Sequence, residues 1–141
     1  MHDEENAAIQ RWLEASIRTS GSIAGTVHVQ RDGDLYLAAA VNIPPPVLDR
    51  VRHVPRGKGM AGMAQVQRAP VQTCNLQTEP PGRINPMAKL VSGQAAVALP
   101  VLAADGDVRA VVGFAFAEEG ELPAEQVQQL SRLADSVPAD A

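Results

Sequence analysis

Residues 55–76, PRGKGMAGMAQVQRAPVQTCNL, decide how this chain is read. The stretch holds a glycine turn, a short helix predicted over Met60–Gln67, a break at Pro70 and a short strand predicted over Val71–Cys74. Its glycines, Gly57, Gly59 and Gly62, also spell G-x-G-x-x-G. A dinucleotide site needs a buried strand running straight into those glycines, then a full helix whose N-terminus meets the pyrophosphate. Here Val51–Arg56 is charged and broken by Pro55, the following helix is short, and Asn75 stands where an acidic residue is wanted. The glycines therefore read as a tight turn into a covering helix. Gly62 inside that helix costs about 1 kcal/mol relative to Ala and signals the close approach of another backbone.

Outward from this stretch the chain is built of hairpins. Ile23–Gln30 and Leu35–Val41 flank Arg31-Asp32-Gly33-Asp34, and Ala95–Ala103 and Val108–Ala117 flank Ala104-Asp105-Gly106-Asp107. Asp-Gly is a strong hairpin signal. Val27 and Val29 alternate with Thr26, His28 and Gln30, which predicts a strand with one wet face. The run Ala38-Ala39-Ala40 leaves room for a covering helix or a ligand. Val111–Phe116 is almost continuously apolar and predicts a central strand covered on both sides. Pro100 lacks the N–H that a ladder needs, so a bulge or an unpaired position is expected there. Between the hairpins, Val47–Arg52 is a candidate short helix, and Asn85-Pro86 reads as an N-cap and first-turn proline opening one or two turns through Met87, Leu90 and Val91.

Amphipathic helices close both ends. Residues 3–19 put Ile9, Trp12, Leu13, Ser16 and Ile17 on one face, and Pro123–Val137 does the same with Val127, Leu130, Leu133, Ala134 and Val137. Each stripe suits either the chain's own core or a second copy. The length fits a single domain, taken here as residues 3–137. The plan is α+β: a central antiparallel sheet with the terminal helices against it.

Composition narrows the function. A net charge of −4 argues against binding a phosphate backbone, and two Phe, one Tyr and one Trp are too few for a nucleic-acid stacking platform. The one basic cluster is Arg50, Arg52, Arg56 and Lys58. No apolar run approaches the roughly 20 residues that span a bilayer, and no signal-peptide pattern is present. With a single cysteine, Cys74, neither an internal disulfide nor a four-ligand structural zinc is expected, and a reducing cytoplasm is the natural location. His2, His28 and His53 lack metal-ligand spacing. Cys74 has no basic partner nearby in sequence, and no nucleophile elbow or P-loop pattern occurs. The residues assemble no catalytic constellation.

The order and spacing of several segments resemble the GAF domain, a small-molecule-binding and dimerisation module of signalling proteins. The resemblance is carried by Gly25-Thr26-Val27-His28-Val29, Leu35–Val41, Val54-Pro55-Arg56-Gly57-Lys58-Gly59-Met60-Ala61-Gly62, Ala69-Pro70-Val71 with Asn75-Leu76, Gln94–Val101 and Val112-Gly113-Phe114. It covers roughly residues 9–134. It implies a sheet of five to six strands, GAF/PAS-like, with the terminal helices on one face and short helices plus a long loop covering a pocket on the other. Family pockets hold cyclic nucleotides, bilins, haem or small metabolites, so the resemblance names no one cofactor. The Asn-Lys-Phe-Asp-Glu signature of the cyclic-nucleotide binders is missing. Bilin attachment uses a cysteine beyond the lid region, whereas Cys74 precedes it. The free methionine sulfoxide reductases share the fold but use more than one cysteine.

The expectation is a non-enzymatic sensory or regulatory module that binds a small ligand. The expected lining is Val41, His53, Met60, Met63, Cys74, Asn75, Met87 and Leu90. Dimerisation is expected through Ile9, Trp12 and Leu13 together with Val127, Leu130 and Leu133. No output domain fits in the chain, so a partner such as a kinase or transcription regulator, or a larger parent protein, is implied. The alternatives are a structural interaction domain with a filled pocket, and a thiol-dependent free methionine sulfoxide reductase using Cys74.

Overall fold

The computed structural model describes residues 2–74 and 95–138, with side chains from residue 6 onward. In chain order the elements are α1 (His2–Ser20), β1 (Ala24–Arg31), β2 (Asp34–Val41), α2 (Pro45–Val51), β3 (His53–Val54), α3 (Gly59–Gln67), β4 (Val71–Thr73), β5 (Ala95–Leu102), β6 (Val108–Phe116) and α4 (Ala124–Asp135). The strands form one antiparallel sheet in the order β3-β2-β1-β6-β5-β4. The two long hairpins thus meet at β1 and β6, and the apolar β6 is central, as its composition predicts.

Turn chemistry sets the first hairpin. Asp32 and Gly33 have φ of 53° and 91°. Positive φ at both central residues is the condition for a turn whose twist matches that of the strands. Gln65 of α3, 2% exposed, donates to the Gly33 carbonyl at 2.9 Å and ties this turn to the cover. The glycine turn behaves as its spacing implies. Gly57 and Gly59 have φ of 82° and 63°, and a Cβ on Gly62 would sit 2.7 Å from the Gly57 carbonyl carbon. The backbone that Gly62 admits is that of its own entry turn, with no phosphate in the account. Arg68 in the left-handed region ends α3, its N–H donating to the Ala64 carbonyl at 2.9 Å.

Alternation along the strands separates two layers. Val27, Val29, Ala95, Val97, Leu99, Val101, Ala110, Val112, Phe114 and Phe116 pack with Ile9 and Leu13 of α1 and Leu130 and Ala134 of α4. The intervening positions face α2 and α3. The terminal helices therefore share one face, and the short helices cover the other.

Of four expectations tied to single segments, one needs correction. As its charge and Pro55 imply, the stretch before the glycines forms no central parallel strand: it holds only the two-residue β3, antiparallel to Leu35 and Tyr36 at the sheet edge. The face of β1 bearing Thr26 and His28 is not wet, because α2 and α3 lie over it; His28 is 3% exposed. The Ala38–Ala40 run does make room for a covering helix, and that helix is α1. Ala39 is buried in the α1 layer, and Gln10 of α1 binds both the N–H and the carbonyl of Ala40, at 3.1 and 2.8 Å. Pro100 stands opposite Val111 within the β5–β6 register, and the irregularity comes after it, between Val101 and Leu102. β4 pairs only with Ala96–Ala98, so on that side Pro100 takes the unpaired position expected of it. The helix expected at Asn85-Pro86 lies outside the described residues.

Candidate functional site: a cavity beneath the short helices

The site begins with the side chains that the covered face lacks. Pairing places Ala24, Ala115 and Ala96 in one row across β1, β6 and β5, and Thr26, Gly113 and Ala98 in the next. A third row holds His28, Val111 and Pro100. Two consecutive rows of small residues at the centre of a sheet lower its surface. The cover above cannot follow it down, since α2 is pinned by Pro44 and Pro45 and α3 by its glycine turn. The result is a cavity of about 180 Å³ lined by the first two rows, by His28 of the third, and by Ile43, Val47, Val51, Val54, Gly59, Met60 and Ala61, with the backbone of Gly25, Val97 and Phe114 below.

Among the described residues no charged side chain lines this space, and its polar side chains are Thr26 and His28. His28 Nε2 lies 2.8 Å from the Val51 carbonyl oxygen. A carbonyl only accepts, so Nε2 carries the hydrogen and the neutral ring keeps Nδ1 as an acceptor. Nδ1 is buried and has no partner among the described residues. Burial pushes the His28 pKa below its usual value, against a smaller upward effect of the Val51 hydrogen bond.

The residues named from sequence fall in several places. Met60 lines the cavity. Met63 lies beside it, packed among Leu35, Ala64 and Val71 rather than on the wall. Val41 belongs to the opposite layer, against the terminal helices. His53 is turned outward on the edge strand: its ring stacks on Tyr36 at 4.9 Å, and Nε2 is 2.7 Å from Asp34 Oδ2. That contact and the Arg56 N–H hold the Asp34 carboxyl below its usual pKa. Cys74 is exposed and is not among the lining residues. Asn75, Met87 and Leu90 lie outside the described residues. Of the residues expected at a dimer surface, Ile9 and Leu13 are 0% exposed and Leu130 is 4% exposed, so they belong to the chain's own core. Trp12, Val127 and Leu133 are half-buried against that core, with Trp12 Nε1 donating to Ser136 Oγ at 2.9 Å.

His28 is the residue that sequence reasoning missed. The signal for it was its place between Val27 and Val29, which fixes its side chain on the face opposite the terminal helices.

Comparison with known proteins now has a fold and a site to explain. A family model described as the GAF domain matches residues 2–137. The chain belongs to the GAF domain family. Comparison with curated proteins gives no match. Among solved structures, this GAF domain is similar to the type II free methionine-R-sulfoxide reductase of Thermoplasma acidophilum, with a TM-score of 0.76 at 16% identity, covering 95% of this chain and 89% of that one. It is also similar to the GAF domain of a phosphoenolpyruvate-protein phosphotransferase from Coxiella burnetii, with a TM-score of 0.76 at 14% identity, covering 92% and 77%. The second GAF domain of DevS from Mycobacterium smegmatis aligns with a TM-score of 0.67 at 21% identity, covering 94% and 89%. At these identities the likeness is one of fold. Among the described residues of this GAF domain, no group of three or more His, Cys, Asp or Glu side chains is placed to hold a metal. No described helix is long and apolar enough to cross a membrane.

Proposed function

We propose that this GAF domain is a sensory or regulatory module, not an enzyme, that binds a small molecule in the cavity between the sheet and α2–α3. One observation carries the reading: two rows of small residues under a proline- and glycine-fixed cover leave about 180 Å³ of mainly apolar space. An engineered cavity of about 150 Å³ suffices to hold benzene. The signal is passed through the sheet to the terminal helices. Gly25 borders the cavity, and a Cβ built there would meet Ile17 Cδ1 at 2.9 Å and Leu13 Cδ1 at 3.2 Å. Only the β1 backbone thus separates ligand from α1. The module works as a homodimer through the outward faces of α1 and α4 around Trp12, Val127 and Leu133, or against an output protein. A cytoplasmic setting suits its single, exposed cysteine.

The test is methyl NMR of the full chain with small aromatic probes. Shifts of the Ala96, Ala98 and Ala115 methyls support the reading, and indifference of all three to every probe overturns it. The reductase reading rests on likeness of fold to several free methionine-R-sulfoxide reductases and on Cys74. Methionine sulfoxide turnover that vanishes in Cys74→Ser would restore it.

A further inference from the structure

The cavity wall holds one buried polar group with half of its hydrogen-bonding capacity unused. His28 is 3% exposed and lines the cavity. Its Nε2–H is committed to the Val51 carbonyl, and Nδ1, an acceptor in that tautomer, has no partner among the described residues. Burial keeps the ring neutral. An orphaned buried acceptor forfeits a hydrogen bond it would make in water. A lone water is at the limit of what the site supports, because it wants roughly two to four polar partners. The described lining offers polar side chains only at Thr26 and His28. A charged guest is poorer still, since among the described residues no lining side chain carries an opposite charge.

Building on the ligand-binding reading above, we propose that the cavity takes a neutral, largely apolar molecule the size of a one- or two-ring aromatic. It carries a single N–H or O–H donor, which His28 Nδ1 accepts. The Val51 carbonyl fixes the tautomer, the alanine–glycine rows accept the apolar body, and His28 discriminates among bodies of equal shape.

Matched probes test this on the full chain. Indole is compared with benzothiophene, and phenol with toluene. Alanine methyl shifts read occupancy, and the imidazole ¹⁵N resonance of His28 reads the hydrogen bond. The donor-bearing member of each pair should bind about tenfold tighter. His28 Nδ1 should move toward its hydrogen-bonded position, and the advantage should vanish in His28→Phe. Equal affinities within each pair, or a static Nδ1 while the methyls shift, overturn the inference and leave the cavity reading standing. Tighter binding of benzoate than of phenol overturns the neutrality of the ligand. Failure of every probe to move the methyls overturns both readings. Should His28→Phe not fold, the wild-type ¹⁵N measurement decides alone.

Discussion

The two faces of the sheet share one backbone and carry opposite side-chain inventories. Toward α1 and α4, the cross-strand pairs are Val27 with Val112, Leu99 with Val112, Val97 with Phe114 and Ala95 with Phe116. Toward α2 and α3, one residue along each strand, they are Ala24 and Ala96 with Ala115, and Thr26 and Ala98 with Gly113. Phe114 and Gly113 are neighbours in sequence, yet one fills a core and the other helps to leave space. Function here is made by subtraction on one face, while stability is concentrated on the other. Because alternation holds across the paired rows of β1, β6 and β5 named here, each face can be altered with the other untouched.

The largest effect belongs to the filled face. Phe114 is 1% exposed in the terminal-helix layer, and Phe114→Ala should cost about 3–5 kcal/mol in chemical denaturation. That is a large share of the roughly 5–15 kcal/mol that holds such a domain together. A loss below about 1 kcal/mol would mean that the α1–α4 layer is not the stabilising one.

Next comes the turn that supports the cover. In Gly62→Ala the new Cβ meets Gly57 backbone at 2.7–3.1 Å, and Gly57 cannot easily yield at φ 82°. Overpacking of this kind costs about 1–3 kcal/mol. Because the strain falls on the cover, probe affinity should fall with stability, whereas Phe114→Ala should act on stability alone.

A third effect follows from burying His28 as a neutral ring. Its folded-state pKa lies below 6.5, so between that value and 6.5 the unfolded chain binds more protons. Stability is then fully present above pH 6.5 and declines as pH falls toward the folded-state pKa, by up to about 1.4 kcal/mol per unit. His28→Phe should flatten that part of the stability–pH curve. Asp34, also depressed, acts in a different window: its stabilisation is present above the ordinary carboxylate range and is lost on further acidification. A wild-type curve that matches His28→Phe over about the first pH unit below the usual histidine value would show that the ring takes up its proton freely in the folded state.

Which parts of this were legible in the sequence follows from how local each cause is. Asp32-Gly33 fixed a turn, Gly57-Gly59-Gly62 a close approach, and the Ile9–Leu13 and Leu130–Ala134 stripes two helices, all through contacts within a few residues. The faces were harder. An amphipathic stripe looks the same whether its partner is the chain's own sheet or a second copy, so Ile9, Leu13 and Leu130 read equally well as interface. Val-His-Val reads as one wet face because nothing near His28 in sequence announces α2 and α3, which come later and close over it. His53 sat beside the glycine turn and read as a ligand residue, but pairing of β3 with Tyr36 turns it outward. The lowered rows were invisible for the same reason. Ala24, Thr26, Ala96, Ala98, Gly113 and Ala115 come from three strands, and only the register makes them neighbours.

The smallest change in stability should teach the most about the two faces. Ala96 lines the cavity in the row of Ala24 and Ala115, and Ala110 is buried in the opposite layer beside Val29 and Val101. Both are alanines on adjacent central strands, 9% and 1% exposed. Ala110→Leu forces three carbons into a filled layer and should cost about 1–3 kcal/mol or more. Ala96→Leu places the same carbons in open space, where each buried CH₂ returns about 0.8 kcal/mol. Ordering the longer side chain offsets part of that return, so stability should not fall below the parent's. The two variants should invert in binding: Ala96→Leu abolishes methyl shifts on probe addition, and Ala110→Leu retains them in the folded fraction. Equal destabilisation by both would mean that the cavity face is packed as tightly as the other, and the asymmetry on which the binding reading depends would be gone.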